Sequence, residues 1–138
     1  MKVTLNPYLG FKGDAHEAVE FYHGVFGGKL TVTTFKEAHA SQDPSMDNLV
    51  MHAQLEGDNG FTLMAADTPP HMEYKPGTNI TLSLSGDDEA TLRDYFEKLS
   101  AGGKVTMPLE KAMWGDIFGM FTDKFGIGWL VNINAAKA

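Results

Sequence analysis

Val3, Leu5, Pro7, Leu9 and Phe11 fall on one side of the chain at a period of two, and this alternation predicts a first strand over residues 3–11. Lys12-Gly13-Asp14 interrupts it, with Asp14 placed to cap a helix. From Ala15 the period lengthens. Ala15, Ala18, Val19, Tyr22, Val25 and Phe26 recur at helical spacing, while Glu17 and Glu20 take the polar side. Gly27-Gly28 ends this helix, because glycine enters the left-handed region that helix C-termini use. A strand rich in threonine and valine is predicted over residues 29–35. Beyond a loop containing SQDPSMDN, residues 49–55 and 61–66 predict a hairpin closed across GDNG, since Asn-Gly between apolar runs favours a tight turn.

The same order then recurs. TPPHMEYKPG, with its prolines, reads as a connector. Residues 79–84 alternate as a strand, Gly86-Asp87-Asp88-Glu89 supplies a helix start, and Ala90, Leu92, Tyr95, Phe96 and Leu99 form an apolar stripe. Gly102-Gly103 stops the helix, and strands follow at residues 104–109, 118–122 and 128–133. GGKLTV at residues 27–32 is echoed by GGKVTM at residues 102–107, and the element order around each is the same. The Gly-Gly pairs are 75 residues apart and the Glu-Ala pairs at Glu17 and Glu89 are 72 apart, so the second helix is expected to be longer by close to one turn. The expectation is an α+β fold: one domain over residues 1–138, built of two βαβββ modules at about 1–68 and 76–138 with a connector at 69–75. Each module's sheet needs a cover for its apolar face, and the pair is expected to form an incomplete barrel with external helices.

Composition narrows the class of function. With 138 residues the chain buries roughly two thirds of its unfolded surface and needs no staple. It has no cysteine, which removes disulfides, thiolate metal ligands and cysteine nucleophiles. The start lacks a leader pattern, and no run approaches the ~20 apolar residues of a membrane span. A cytoplasmic setting without membrane contact is therefore expected. The formal charge of -7, with no cluster of lysine or arginine to offset it, opposes a phosphate backbone, so no nucleic-acid partner is expected. Neither a GxxxxGK[ST] loop, a helix-opening GxGxxG nor a GxSxG elbow is present.

Among polar residues, His52 and Gln54 share one side of a predicted strand. An imidazole there can exchange a proton near neutral pH, and an adjacent amide can orient a carbonyl or hydroxyl. The competing role for His52 is a hydrogen bond to a neighbouring strand or loop. Asp67 ends the next strand and reads chiefly as a turn residue before Thr68-Pro69-Pro70. Trp114, Phe118 and Trp129 can wall an apolar pocket in which an indole N–H or the Asp116 carboxylate fixes a ligand, or they can fill the core. Asp123-Lys124-Phe125-Gly126 reads as a turn between strands.

Three segments carry a family resemblance: NPYLGFKGDAHEAVEFYHGVFGGKL at residues 6–30, MHAQLEGDNGFTLMAAD at 51–67 and WGDIFGMFTDKFGIGWLVNI at 114–133. In order and spacing the chain resembles the vicinal oxygen chelate superfamily of glyoxalases, extradiol dioxygenases and antibiotic-resistance proteins. More narrowly it is similar to the PhnB-like subgroup, labelled by likeness to demethylubiquinone methyltransferases. The resemblance implies a glyoxalase-like fold and a homodimer with pockets near module or subunit interfaces. Metal-dependent members place ligands in the first and last strand of each module. Carried over, those vestigial metal positions fall at Pro7, Met64, Asn79 and Leu130, which cannot reproduce a His/Gln/Glu site. No metal or other cofactor is expected. The favoured reading is a protein binding a small aromatic or amphipathic molecule in a metal-free cleft. The alternatives are a metal-independent isomerase or lyase using His52 as base, and a non-catalytic dimeric interaction protein.

Overall fold

The computed structural model describes residues 3–135, which divide into two compact units at the Pro76/Gly77 boundary. The first contains β1 (Tyr8–Phe11), α1 (Ala15–Phe26), β2 (Lys29–Thr34), a 3-10 turn (Pro44–Met46), β3 (Val50–Glu56) and β4 (Thr62–Asp67). Its sheet has the order β1-β4-β3-β2, with β1 parallel to β4 and the other pairs antiparallel. The second contains β5 (Leu82–Gly86), α2 (Glu89–Ser100), β6 (Lys104–Lys111), β7 (Ile117–Thr122) and β8 (Gly128–Ile133). Its order is β5-β8-β7-β6, with only β5 and β8 parallel. Two βαβββ modules of identical topology result, and each sheet keeps two free edges rather than closing into a barrel.

In the first unit, α1 packs on β2, β3 and β4. The apolar stripe read from the sequence lands on that side: Ala15, Ala18, Val19, Tyr22 and Phe26 are buried. Leu9, Phe11, Ala53, Leu55, Leu63 and Ala65, alternate residues of β1, β3 and β4, are buried as well. Burying each of the larger side chains stabilises the unit by roughly 1.5–3 kcal/mol. In the second unit, α2 buries Leu92, Tyr95 and Leu99 and packs on β5, β6 and β8. Phe96 meets Phe121 edge-on at 5.0 Å, and Phe121 stacks near Trp129 at 6.4 Å, forming a buried aromatic cluster.

The paired glycines do the same job in both modules. A Cβ on Gly28 would stand 2.0 Å from the Glu56 carbonyl oxygen, and one on Gly103 would stand 2.1 Å from that of Thr122. Lys29 pairs with Glu56 and Lys104 with Thr122, so each second glycine lets the chain leave its helix directly against the neighbouring strand end.

Three local expectations are corrected. The second helix has not gained a turn, because α1 and α2 both have 12 residues and Glu89 opens α2 whereas Glu17 lies inside α1. β1 begins at Tyr8 rather than Val3, and Val3 and Leu5 are 91% and 98% exposed. The ladder with β4 starts at Tyr8 and Met64, so the preceding residues have no strand to pair with despite their alternation. Asp14 occupies the N-cap position of α1 but its side chain makes no capping hydrogen bond. The buried carboxylate of Asp67 replaces it. Asp67 Oδ1 accepts from the backbone N–H of Gly13 at 2.8 Å and Ala15 at 3.0 Å, while Oδ2 accepts from Val50 N–H at 2.9 Å. Asp67 thus ties the end of β4 and the start of α1 to the start of β3.

Candidate functional site

The face of the first sheet opposite α1 is polar because the strand period of two sends every second side chain there. Cross-strand register aligns Tyr8, Met64, Gln54 and Thr31 in one row across all four strands, and Thr33 faces His52 on the neighbouring row. His52, Gln54 and Met64 are half-buried, and Tyr8 is 53% exposed. The Tyr8 hydroxyl lies 3.2 Å from His52 Nδ1, and the two rings sit 5.8 Å apart at a tilt of 43°. In the tautomer protonated at Nε2, the phenol donates to Nδ1 and the Nε2–H points away from this bond. Gln54 Nε2 donates to Glu56 Oε1 at 3.4 Å, a long contact that leaves the Gln54 carbonyl oxygen open.

This arrangement offers a phenol, an imidazole, an amide and a thioether on one accessible surface. It can hold an aromatic ring against Tyr8 and Met64 and fix a polar substituent at His52 or Gln54. Tyr8 is the residue that sequence reasoning passed over. Its signal was its position beside Pro7, on the side of the strand opposite Leu9 and Phe11.

The second unit gathers three of the remaining candidates at the β6–β7 turn and the end of β8. Trp114, 62% exposed, meets Phe118 edge-on at 5.5 Å and directs its indole N–H toward Asn132 Oδ1 at 3.4 Å. Asn132 Nδ2 donates to Asp116 Oδ2 at 2.9 Å, and Asp116 Oδ1 accepts from the Ala135 backbone N–H at 2.7 Å. The Asn132 hydrogen bond, then that from Ala135, holds the Asp116 carboxyl below its ordinary pKa. Asp116 is therefore an ionised acceptor engaged in joining strand ends, and Asn132 is a second residue that the sequence reading missed. Asn132 lies opposite Phe118 in the ladder, so the period of β8 was its signal.

Trp129 does not join this group. It is 2% exposed, shares the α2 side of β8 with Val131 and Ile133, and donates its indole N–H to Asp123 Oδ2 at 2.8 Å. Of the two roles read from the sequence, strand parity gives its ring the core one, although Trp129 also borders a depression within its own unit. Asp123 also accepts from the Phe125 and Ile127 amides, which fixes the β7–β8 turn.

The metal positions carried over from the family can now be placed. Met64 faces Tyr8 across the β1–β4 ladder and donates its backbone N–H to the Pro7 carbonyl oxygen at 3.1 Å, so Pro7 and Met64 adjoin. In the second unit Leu130 faces Ser83, whereas Asn79 lies ahead of β5, outside the strand. The strand position corresponding to the carried-over ligand is thus near Ser83, because β5 begins three residues later than its alternation suggested. The shift changes no conclusion: a proline ring, a thioether, a hydroxyl and a leucine side chain supply neither carboxylate nor imidazole. Among the described residues no group of three or more His, Cys, Asp or Glu can hold a metal ion. The residues present do not fit the divalent centre of metal-dependent glyoxalases and dioxygenases.

Comparison with known proteins agrees with the topology. The family model described as "Glyoxalase/Bleomycin resistance protein/Dioxygenase superfamily" matches residues 4–131. The protein YjdN of Escherichia coli K12 is 29% identical over 95% of both chains. The crystal structure of protein PA1353 from Pseudomonas aeruginosa has 36% identity and a TM-score of 0.85, covering 98% of this chain and 100% of its own. A structure from Bacillus cereus described as a putative 3-demethylubiquinone-9 3-methyltransferase, PhnB protein, has 25% identity and a TM-score of 0.75, covering 96% of this chain and 100% of its own.

Proposed function

We propose, from the premise that this chain belongs to the glyoxalase/bleomycin resistance protein/dioxygenase superfamily, that it is a PhnB-like protein that binds a small aromatic or amphipathic molecule without a metal ion. The observation that carries this reading is the Tyr8–His52 pair, set beside Gln54 and Met64 on the open face of the first sheet. A ring stacks on Tyr8 and Met64, and a hydroxyl or carbonyl on it exchanges a hydrogen bond with His52 or Gln54. Trp114 and Phe118 offer a second aromatic surface in the other unit, with Asp116 positioning Asn132 rather than acting on a ligand. The protein acts as a single cytoplasmic domain assembled as a homodimer, with neither nucleic acid nor membrane as partner. Among the described residues no helix is long and apolar enough to cross a membrane. The PhnB assignment is supported by the Bacillus cereus structure. The methyltransferase wording of that structure's description is not transferred to this chain.

The Tyr8–His52 hydrogen bond also favours a second reading, metal-independent proton transfer. A phenol that donates to Nδ1 stabilises one tautomer and gives the imidazole a partner for relaying a proton, as an isomerase or lyase requires. A thermal-shift screen of small aromatic compounds, followed by calorimetric titration of the hits in the presence of chelator, tests the binding reading. Saturable binding that Tyr8→Phe weakens and His52→Ala abolishes supports it. Binding unchanged in both variants, or dependent on added metal, contradicts it. Turnover of a bound compound that disappears in His52→Gln while binding persists selects the catalytic reading.

A further inference from the structure

We propose that the second unit contains a distinct binding site for a small uncharged molecule, lined by the threonine hydroxyls of residues 78, 81, 106 and 122. This site is independent of the sheet face around His52. It is a depression of about 300 Å³ bordered by Thr78, Ile80, Thr81, Thr106, Met120 and Thr122, with glycine backbone at its rim. Trp129 also borders it, but with almost none of its surface.

Three features mark the depression as shaped. The first is a bulge in β6. Val105 pairs with Phe121 and Met107 with Met120, so Thr106 is the extra residue between them. Such an insertion turns a side chain out of the ladder, and here it places Thr106 on the cavity. The second is Gly128. A Cβ there would stand 3.4 Å from Thr81 Oγ1 and 3.9 Å from both Thr81 Cγ2 and the Ile80 carbonyl oxygen, ordinary contacts, so the backbone tolerates a side chain and the glycine instead leaves the space empty. The third is the hydroxyl set itself. Among the described residues, no side-chain partner takes up any of these four hydroxyls.

The lining specifies the ligand class. No ionisable side chain borders the depression, so an ion entering it would lose hydration without gaining a counter-charge. Each threonine both donates and accepts, which suits hydroxyl and carbonyl groups alike. Met120 and Ile80 supply apolar contact for a ring or short chain. The volume lies at the lower end for small-molecule pockets and admits one substituted ring. The ligand class is a neutral monocyclic phenol or ketone.

The test is nuclear magnetic resonance titration of the full isotope-labelled chain at neutral pH with p-cresol, p-toluate and benzylammonium. The site predicts saturable shifts at Thr106, Thr122 and Gly128 with p-cresol, and at least tenfold weaker responses to both ions. Gly128→Leu, which fills the depression, is expected to abolish those shifts. If its spectrum shows a disrupted fold, Thr106→Val and Thr122→Val serve instead, each expected to weaken p-cresol binding severalfold with the fold retained. Equal responses to the three compounds, absence of saturation or binding unaffected by these variants would overturn the site. Shifts confined to Tyr8, His52, Gln54 and Met64 would overturn it while supporting the sheet-face reading. Shifts at the threonines alone would uphold it with no support for that reading.

Discussion

Replacing Asp67 by asparagine is expected to destabilise the first unit by about 1–3 kcal/mol, the range for leaving one buried polar group without its partner. The magnitude follows from how the carboxylate is used. One oxygen accepts from Gly13 and Ala15, the other from Val50, and Asp67 is only 3% exposed. An asparagine retains one acceptor oxygen, so whichever way its amide turns, at least one backbone N–H meets an NH₂ group. Water cannot restore the loss at a site this enclosed. Urea denaturation of the two proteins, followed by circular dichroism, measures the difference. With a slope of roughly 2 kcal/mol per molar urea, the midpoint is expected to fall by about 0.5–1.5 M at unchanged slope. Asp67→Ala strands all three amides and is expected to leave little folded protein, because the loss approaches the whole stability of an ordinary domain. A midpoint for Asp67→Asn within 0.2 M of the parent would refute the assignment of Asp67 as the tie between α1, β3 and β4.

Gly103→Ala is expected to cost about 1–3 kcal/mol by overpacking against the Thr122 carbonyl, whereas Gly10→Ala, whose Cβ meets nothing within 4 Å, is expected to change the unfolding midpoint little. Equal effects would contradict the close approach at the second Gly-Gly pair. Acrylamide is expected to quench Trp114 readily and Trp129 hardly at all, so Trp114→Phe should leave a blue-shifted, protected emission; strong quenching in that variant would remove Trp129 from the core. Because the folded Asp116 pKa lies below its ordinary value of 3.8, its hydrogen bonds to Asn132 and Ala135 persist above that pH and are lost only as pH falls through the lowered value. The Ala135 amide shift is expected to titrate with a midpoint below 3.8, and a midpoint above it would contradict the geometry.

Much of this architecture is legible in the residue pattern. The helical stripe of α1 and the bounds of β8 follow from periodicity, and the echoed Gly-Gly-Lys segments mark the second module. Alternation alone does not reveal where a strand finds its partner, which is why β1 and β5 start later than their patterns suggest. The same limit displaced the carried-over ligand position from Ser83 to Asn79. Trp129 is a different case: its parity with Val131 and Ile133 was visible, but a large aromatic ring suits a core and a pocket wall equally. The candidate site was partly legible, because His52 and Gln54 share a face by period two. Their partner Tyr8 lies 44 residues away from His52 and is brought there by the parallel β1–β4 ladder, a long-range pairing that no local pattern encodes. The cap on α1 escaped for the same reason, since Asp67 reaches it from another strand.

Calorimetric titration of Zn²⁺ and Ni²⁺ into chelator-treated protein tests most directly whether this sheet face works without a metal. The donor set predicts only weak, non-saturating heats from scattered surface histidines. A single submicromolar site per chain, abolished by substitution of Tyr8, His52 or Met64, would contradict it.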